Sequence, residues 1–157
     1  GPKGTGKTRL AVTLGNELYR KGWGVRFAEV QMLILRFQHS ASSERALAAL
    51  EPMFETQILI LDDIGSERHS DQASDYSRRA MQMLYDARLN AGLRTIFTSN
   101  LSLVELGEHY GDQRITSRIA GAAYVVPLAG EDWRNKERKT PRARKREGDV
   151  QMGREDS

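Results

Sequence analysis

Apolar positions along the first part of the chain recur at helical spacing. Leu10, Ala11, Leu14 and Leu18 fall on one face, and Gly22 after Lys21 supplies a stop, so the pattern predicts a helix over residues 7–21. Residues 25–28 read as a short strand. Two apolar-rich stretches, 30–37 and 43–50, read as short helices, the second with Ser42 or Ser43 as its cap and Glu44 at its positive end. Ile58 to Leu61 is an unbroken apolar run followed by Asp62 and Asp63, the pattern of a strand buried on both faces of a parallel sheet with acids at its carboxyl end. Tyr76, Ala80, Met83, Leu84 and Ala87 recur at spacings of three and four before Gly92, which predicts a helix over residues 74–91. Residues 95–98 form the next expected strand. Ser102 and Glu105 make a capping box before Leu106, a short helix is expected over 114–120, and a last strand over 124–128. Strands alternating with helices predict an α/β fold: a parallel sheet flanked by helices, joined by right-handed crossovers, with its ligand site at the carboxyl ends of the strands.

Composition narrows this picture. A chain of 157 residues and 17.7 kDa is one ordinary domain. The absence of cysteine excludes a disulfide scaffold, a thiolate metal site and a cysteine nucleophile, and fits a reducing compartment. No apolar run approaches the roughly 20 residues that span a bilayer, so the expectation is a cytoplasmic protein without a membrane partner. Charge is unevenly spread. Residues 134–146 carry a net +7 inside a chain whose total is +3, leaving the remainder at −4. The composition turns polar and basic after Gly130, which places the expected boundary between a core, 1–130, and a basic, disordered tail, 131–157. Two readings of that tail stay open: an arm that meets a polyanion, and a solvated segment with no partner.

The strongest chemical signal opens the chain. Gly1-Pro2-Lys3-Gly4-Thr5-Gly6-Lys7-Thr8 fits the phosphate-loop pattern G-x-x-x-x-G-K-[ST], a chance match of roughly 1 in 200 for a chain of this length. Glycines let backbone N–H groups turn inward on phosphates, and the following helix adds its positive end. Lys7 is placed for the β- and γ-phosphates and Thr8 for Mg²⁺. No strand precedes Gly1 in the sequence; such a strand lies inside the sheet in nucleotide-binding folds of this kind, so these residues alone are expected to fold poorly.

Asp62 and Asp63 stand where a metal-binding carboxylate faces such a loop. Adjacent acids point in different directions, so Asp62 is assigned to the metal and Asp63 to the attacking water. Asn100, after the third expected strand, can place an amide near the γ-phosphate, although Thr98-Ser99-Asn100 is also an ordinary strand-to-turn sequence. Arg114 and Arg118 lie four apart on one helix face. They either supply positive charge to a phosphoryl-transfer transition state or form surface pairs with Glu108 or Asp112, and the residues alone favour the surface pairs. His39, His69 and His109 lack metal-ligand spacing and read as surface residues. Trp23 reads as packing near a turn, and Met81 and Met83 as helix packing.

With the phosphate loop, Ile58-Leu59-Ile60-Leu61-Asp62-Asp63-Ile64-Gly65-Ser66-Glu67, Thr98-Ser99-Asn100-Leu101-Ser102 and Arg114-Ile115-Thr116-Ser117-Arg118-Ile119 in this order, the chain resembles the AAA+ ATPases of the DnaC/DnaI helicase-loader and IstB transposition-helper group, over residues 1–134. The resemblance implies a P-loop NTPase sheet of AAA+ type without a C-terminal lid. It further implies Gly1, Gly4, Thr5, Gly6, Lys7 and Thr8 around ATP, Thr8 and Asp62 toward Mg²⁺, Asn100 as sensor 1, and Arg118 as an arginine finger reaching a neighbouring copy in a homo-oligomer. Gly130-Glu131-Asp132-Trp133-Arg134 is closer to the ending of DnaC-type loaders than to the helpers. The implied partners are single-stranded DNA, with Arg36 and Arg45 as candidate contacts, and a replicative ring helicase. Most AAA+ enzymes carry Glu where this chain has Asp63, and the shorter side chain implies slow turnover.

Overall fold

The computed structural model describes residues 1–38, 43–66 and 71–132. Among these described residues, six helices and three strands follow in the order α1 (Lys7–Arg20), β1 (Val25–Glu29), α2 (Val30–Gln38), α3 (Ser43–Glu55), β2 (Ile58–Ile64), α4 (Asp71–Asn90), β3 (Arg94–Ser99), α5 (Leu103–Tyr110) and α6 (Gln113–Ala122). The strands form one parallel sheet in the order β1-β2-β3, with Ile58 beside Val25 on one side and beside Arg94 on the other.

Side-chain alternation along β2 divides the molecule into two layers. Leu59 and Leu61 face the main core, which gathers Ala28, Val30, Leu33 and Leu50 with Leu84 and Ile115. Ile60 faces α1 instead. The helix sits close to the sheet there because residue 15 has no side chain: a Cβ on Gly15 would lie 2.6 Å from Ile60 Cδ1. Complete burial of Ile58, Ile60, Leu59 and Leu61 explains why this strand reads as a continuous apolar run rather than an alternating one.

The amino ends of the strands are tied together by a cation. Arg88, at the end of α4, is fully buried and donates to the carbonyls of Met53 at 2.5 Å, Thr56 at 2.8 Å and Arg94 at 2.6 Å, and to Thr95 Oγ1 at 2.9 Å. Burial pulls its guanidinium down to about 10, which leaves it charged at neutral pH. Nearby, the Arg94 guanidinium lies 4.9 Å from the centre of the Trp23 ring, which gives that tryptophan its packing role at the turn.

Most predicted elements are present, with boundaries moved. Helix α3 runs five residues past Leu50 and through Pro52, and β2 continues through both aspartates to Ile64. The capping box of Ser102 and Glu105 is formed in both directions. The expected strand over 124–128 is not formed, and Tyr124 and Val126 are exposed. A strand exists only through a partner's ladder. This stretch reaches the phosphate loop, where a Cβ on Gly1 would lie 2.2 Å from Leu128 O, while the Gly1 amino group donates to Ser99 O at the end of β3. Gly1 thus stands between β3 and residue 128. Met81 is buried as expected, but Met83 is 41% exposed, so the pair does not pack as one. His109 is half-buried against Tyr110 rather than on the surface. His39 and His69 lie outside the described residues, as does the tail from 133 onward, and the side chains of Ser43, Glu44, Tyr76, Arg36 and Arg45 are likewise outside. Among the described residues, no helix is long and apolar enough to cross a membrane.

Candidate functional site

The loop from Gly1 to Gly6 leads directly into α1. Gly4 and Gly6 adopt φ values of 78° and 88°, a left-handed backbone that a side chain would strain. Gly6 is the N-cap of α1, and its carbonyl accepts the first helical bond from Leu10 N. The N–H groups of the first turn have no acceptor within the helix, so the loop and the helix end form a concentration of outward donors and positive dipole. Thr5 Oγ1 donates to Pro2 O at 2.9 Å and holds the loop in shape. Lys7 Nζ donates to the carbonyls of Gly1 and Pro2 at 2.7 and 2.6 Å, so its ammonium spans the loop mouth. Asp132 lies against the same loop, since a Cβ on Gly4 would fall 1.9 Å from Asp132 Oδ1. Nothing in the sequence pattern marked this approach, because it joins residues 128 positions apart.

The two aspartates meet the loop from the carboxyl end of β2. Thr8 Oγ1 donates to Asp62 Oδ2 at 2.9 Å, and Thr98 Oγ1 donates to Asp62 Oδ1 at 2.6 Å, so both oxygens of this buried carboxylate are engaged. Asp63 points elsewhere, as expected of adjacent acids. Its Oδ1 accepts from Asn100 Nδ2 at 2.6 Å, and Oδ2 has no hydrogen-bond partner among the described residues. Thr8, Asp62, Asp63 and Asn100, four of the residues singled out from the sequence, are thus linked through Thr98 in one hydrogen-bonded network that begins next to Lys7 in the chain. Thr98 joins them without having been singled out. Its signal was present in the sequence as the first residue of Thr98-Ser99-Asn100, but strand-ending threonines are too common to stand out.

Arg118 is not at this mouth. It pairs with Asp86 of α4, and its side chain is 52% exposed. Arg114 pairs with Asp112 at 3.2 Å, as the surface reading expected, while the partner of Arg118 is neither Glu108 nor Asp112.

The donor chemistry fits a magnesium nucleotide. A threonine hydroxyl and a carboxylate within 2.9 Å of each other are hard oxygen ligands of the kind Mg²⁺ prefers, and the lysine and first-turn amides beside them suit a polyphosphate. Among the described residues no cluster of three or more His, Cys, Asp or Glu side chains could hold a metal.

A parallel sheet, a glycine loop at the start of α1 and paired acids ending the neighbouring strand define a P-loop NTPase of the AAA+ type. Residues 1–141 match the family of IstB-like ATP-binding proteins, and the chain belongs to that family. Its relatives include the insertion sequence IS21 putative ATP-binding protein of Pseudomonas aeruginosa, 28% identical over 143 residues that cover 88% of this chain and 52% of that protein. The replicative helicase loader DnaI of Bacillus subtilis (strain 168) is 27% identical over 146 residues, covering 86% of this chain and 46% of DnaI. The crystal structure of the DnaC helicase loader superposes with a TM-score of 0.67 at 29% identity, covering 82% of this chain and 75% of that one. The chain spans about half the length of the curated relatives it matches.

Proposed function

We propose that this chain is the ATP-hydrolysing core of a DnaC-like helicase loader, which couples nucleotide state to its hold on single-stranded DNA and a replicative ring helicase. The observation that carries the ATPase reading is the bond from Thr8 to Asp62, which joins the phosphate loop to the carboxylate strand. In this reading Gly1, Gly4, Thr5 and Gly6 cradle the phosphates, and Lys7 leaves the loop carbonyls to orient the β- and γ-phosphates. Thr8 and Asp62 hold Mg²⁺, which when bound neutralises charge on the phosphate oxygens. Asp63 accepts the proton of a water through its unengaged oxygen, while Asn100 fixes the carboxylate and the water's approach. As the water oxygen bonds to the γ-phosphorus, the bond to the β-phosphate oxygen breaks and ADP leaves. Arg118, exposed and held by Asp86 away from its own loop, serves a neighbouring copy in a homo-oligomer. Such a finger is worth about 10³ to 10⁵ in rate, so hydrolysis depends on assembly.

The loader reading is supported by the similarity to DnaC and DnaI and by the residues after Gly130. The IS21 relative favours a second reading, a transposition helper with the same chemistry, a transposase as client and duplex DNA as track. In the full-length protein, Lys7→Ala should abolish adenine nucleotide binding, whereas Asp63→Asn and Arg118→Ala should retain binding and lose turnover. Unchanged binding by Lys7→Ala removes the ATPase reading. Capture of a ring helicase and salt-sensitive binding of single-stranded DNA support the loader; capture of a transposase with preference for duplex DNA supports the helper.

A further inference from the structure

The register between β2 and β3 slips at the two acids. Leu61 pairs with Phe97, but Ile64 pairs with Ser99, so Asp62 and Asp63 on β2 stand opposite Thr98 alone on β3. This is a one-residue bulge. Asp63 within it has φ 60°, the only positive φ of a non-glycine residue among those described. A regular strand alternates its side chains along an unbroken ladder; here the bulge leaves Asp62 on Thr8 and Thr98 and Asp63 on Asn100, at the cost of a strained backbone and an interrupted ladder.

One hydroxyl repairs this interruption. Thr98 Oγ1 accepts from Asp63 N–H at 2.9 Å and donates its single proton to Asp62 Oδ1 at 2.6 Å, in a position only 6% exposed. Accepting from the amide commits the hydroxyl proton to the carboxylate, so one atom fixes the strained residue and aims its neighbour. The residues on either side complete the splint: Ser99 Oγ donates to Ile64 O at 2.7 Å, and Asn100 Nδ2 to Asp63 Oδ1. The other anchor of Asp62 is Thr8, which the proposed chemistry directs to the cation. Thr98 is then the protein group left to hold Asp62.

We infer that Thr98 is a positioning residue that aims Asp62 at the Mg²⁺ of the bound nucleotide, acting through the carboxylate and touching neither cation nor phosphate. The inference rests on the ATPase reading above. Groups that orient a metal ligand typically change metal affinity by about 10- to 100-fold. In the full-length protein, Thr98→Val should therefore raise the Mg²⁺ concentration for half-maximal hydrolysis at least about 10-fold. Its affinity for a fluorescent adenine nucleotide in EDTA, where no cation is to be held, should stay within about 2-fold of wild type, while the gain in affinity on adding Mg²⁺ shrinks. Thr98→Ser keeps the hydroxyl and should restore both responses. Thr98→Ala serves in the same three assays if the valine variant does not fold. An unchanged Mg²⁺ response, an equal loss of affinity with and without Mg²⁺, or a serine variant no better than valine overturns the inference while leaving the ATPase reading intact. A wild-type protein that binds no nucleotide overturns both.

Discussion

Strands β2 and β3 are closed at both ends by buried polar groups, and the two ends are built on opposite principles. At the amino end a single cation, Arg88, faces three carbonyls and a hydroxyl. All its described partners are neutral, their geometry is fixed by the backbone, and nothing exchangeable is left for a ligand. At the carboxyl end two carboxylates are held by the side chains of Thr8, Thr98 and Asn100. These partners are short, and one of them, Thr8, sits in the first turn of α1, beside the loop that the proposed nucleotide occupies. A buried guanidinium held by three main-chain carbonyls and one neutral hydroxyl is a fastening, whereas hydroxyls gathered on acids form a site whose contacts can be traded.

Variants at each end turn this contrast into measurements. The largest effect is expected from Arg88→Met, which leaves the carbonyls of Met53, Thr56 and Arg94 without their donor. Denaturant unfolding of the full-length protein should show a loss of about 3–5 kcal/mol, with nucleotide affinity unchanged in the fraction still folded. A loss below about 1 kcal/mol would mean that this end is not a fastening. Asp62→Asn should do the reverse. Hydrolysis should fall by about 10²- to 10³-fold, while unfolding stability moves by less than about 1 kcal/mol, because Asn still accepts one of the two threonine protons. Ser99→Ala tests the border between the two, since its hydroxyl bonds to backbone groups among the described residues, Ile64 O and Leu101 N. Stability should drop by about 1–2 kcal/mol, with a smaller effect on turnover than Asp62→Asn.

The smallest effect concerns acid. The Ser102 backbone N–H, followed by its hydroxyl, holds the Glu105 carboxyl below its ordinary value. A carboxyl shifted downward stabilises the fold above its ordinary value of 4.5 and loses that contribution as pH falls through the shifted value. Unfolding midpoints should therefore decline slightly on the acid side of pH 4.5 in the wild type, and this component should be missing in Glu105→Gln.

The site was more legible in the sequence than the sheet that carries it. The phosphate loop, Asp62, Asp63 and Asn100 could be singled out because the proposed chemistry needs particular residue types at particular strand and helix ends, and the structure joins Asp62 to Thr8 and Asp63 to Asn100. Arg118 was placed on the right helix, but its bond to Asp86 spans 32 residues, and no local pattern encodes it. The strand expected over 124–128 failed for a related reason: alternation and β-branched residues describe a segment able to pair, while pairing itself depends on a neighbour elsewhere. Thr98 was hidden because the slip between Leu61 and Ile64 belongs to two strands together and to neither sequence alone. Arg88 reads as one more polar residue at a helix end until the carbonyls around it are seen.

The missing side chain at Gly15 bears on the candidate site from a distance. It lies seven residues beyond Thr8 on the same rigid rod, roughly 10 Å along the axis, and it sets how low that rod rides over Ile60. Thr8 reaches Asp62 across 2.9 Å, and a rise of a single ångström would carry the pair past hydrogen-bonding range. The alignment of the candidate site is thus tied to a contact between a helix and a strand that carries none of its residues, where a methyl group added at residue 15 would require Ile60 or the helix to shift.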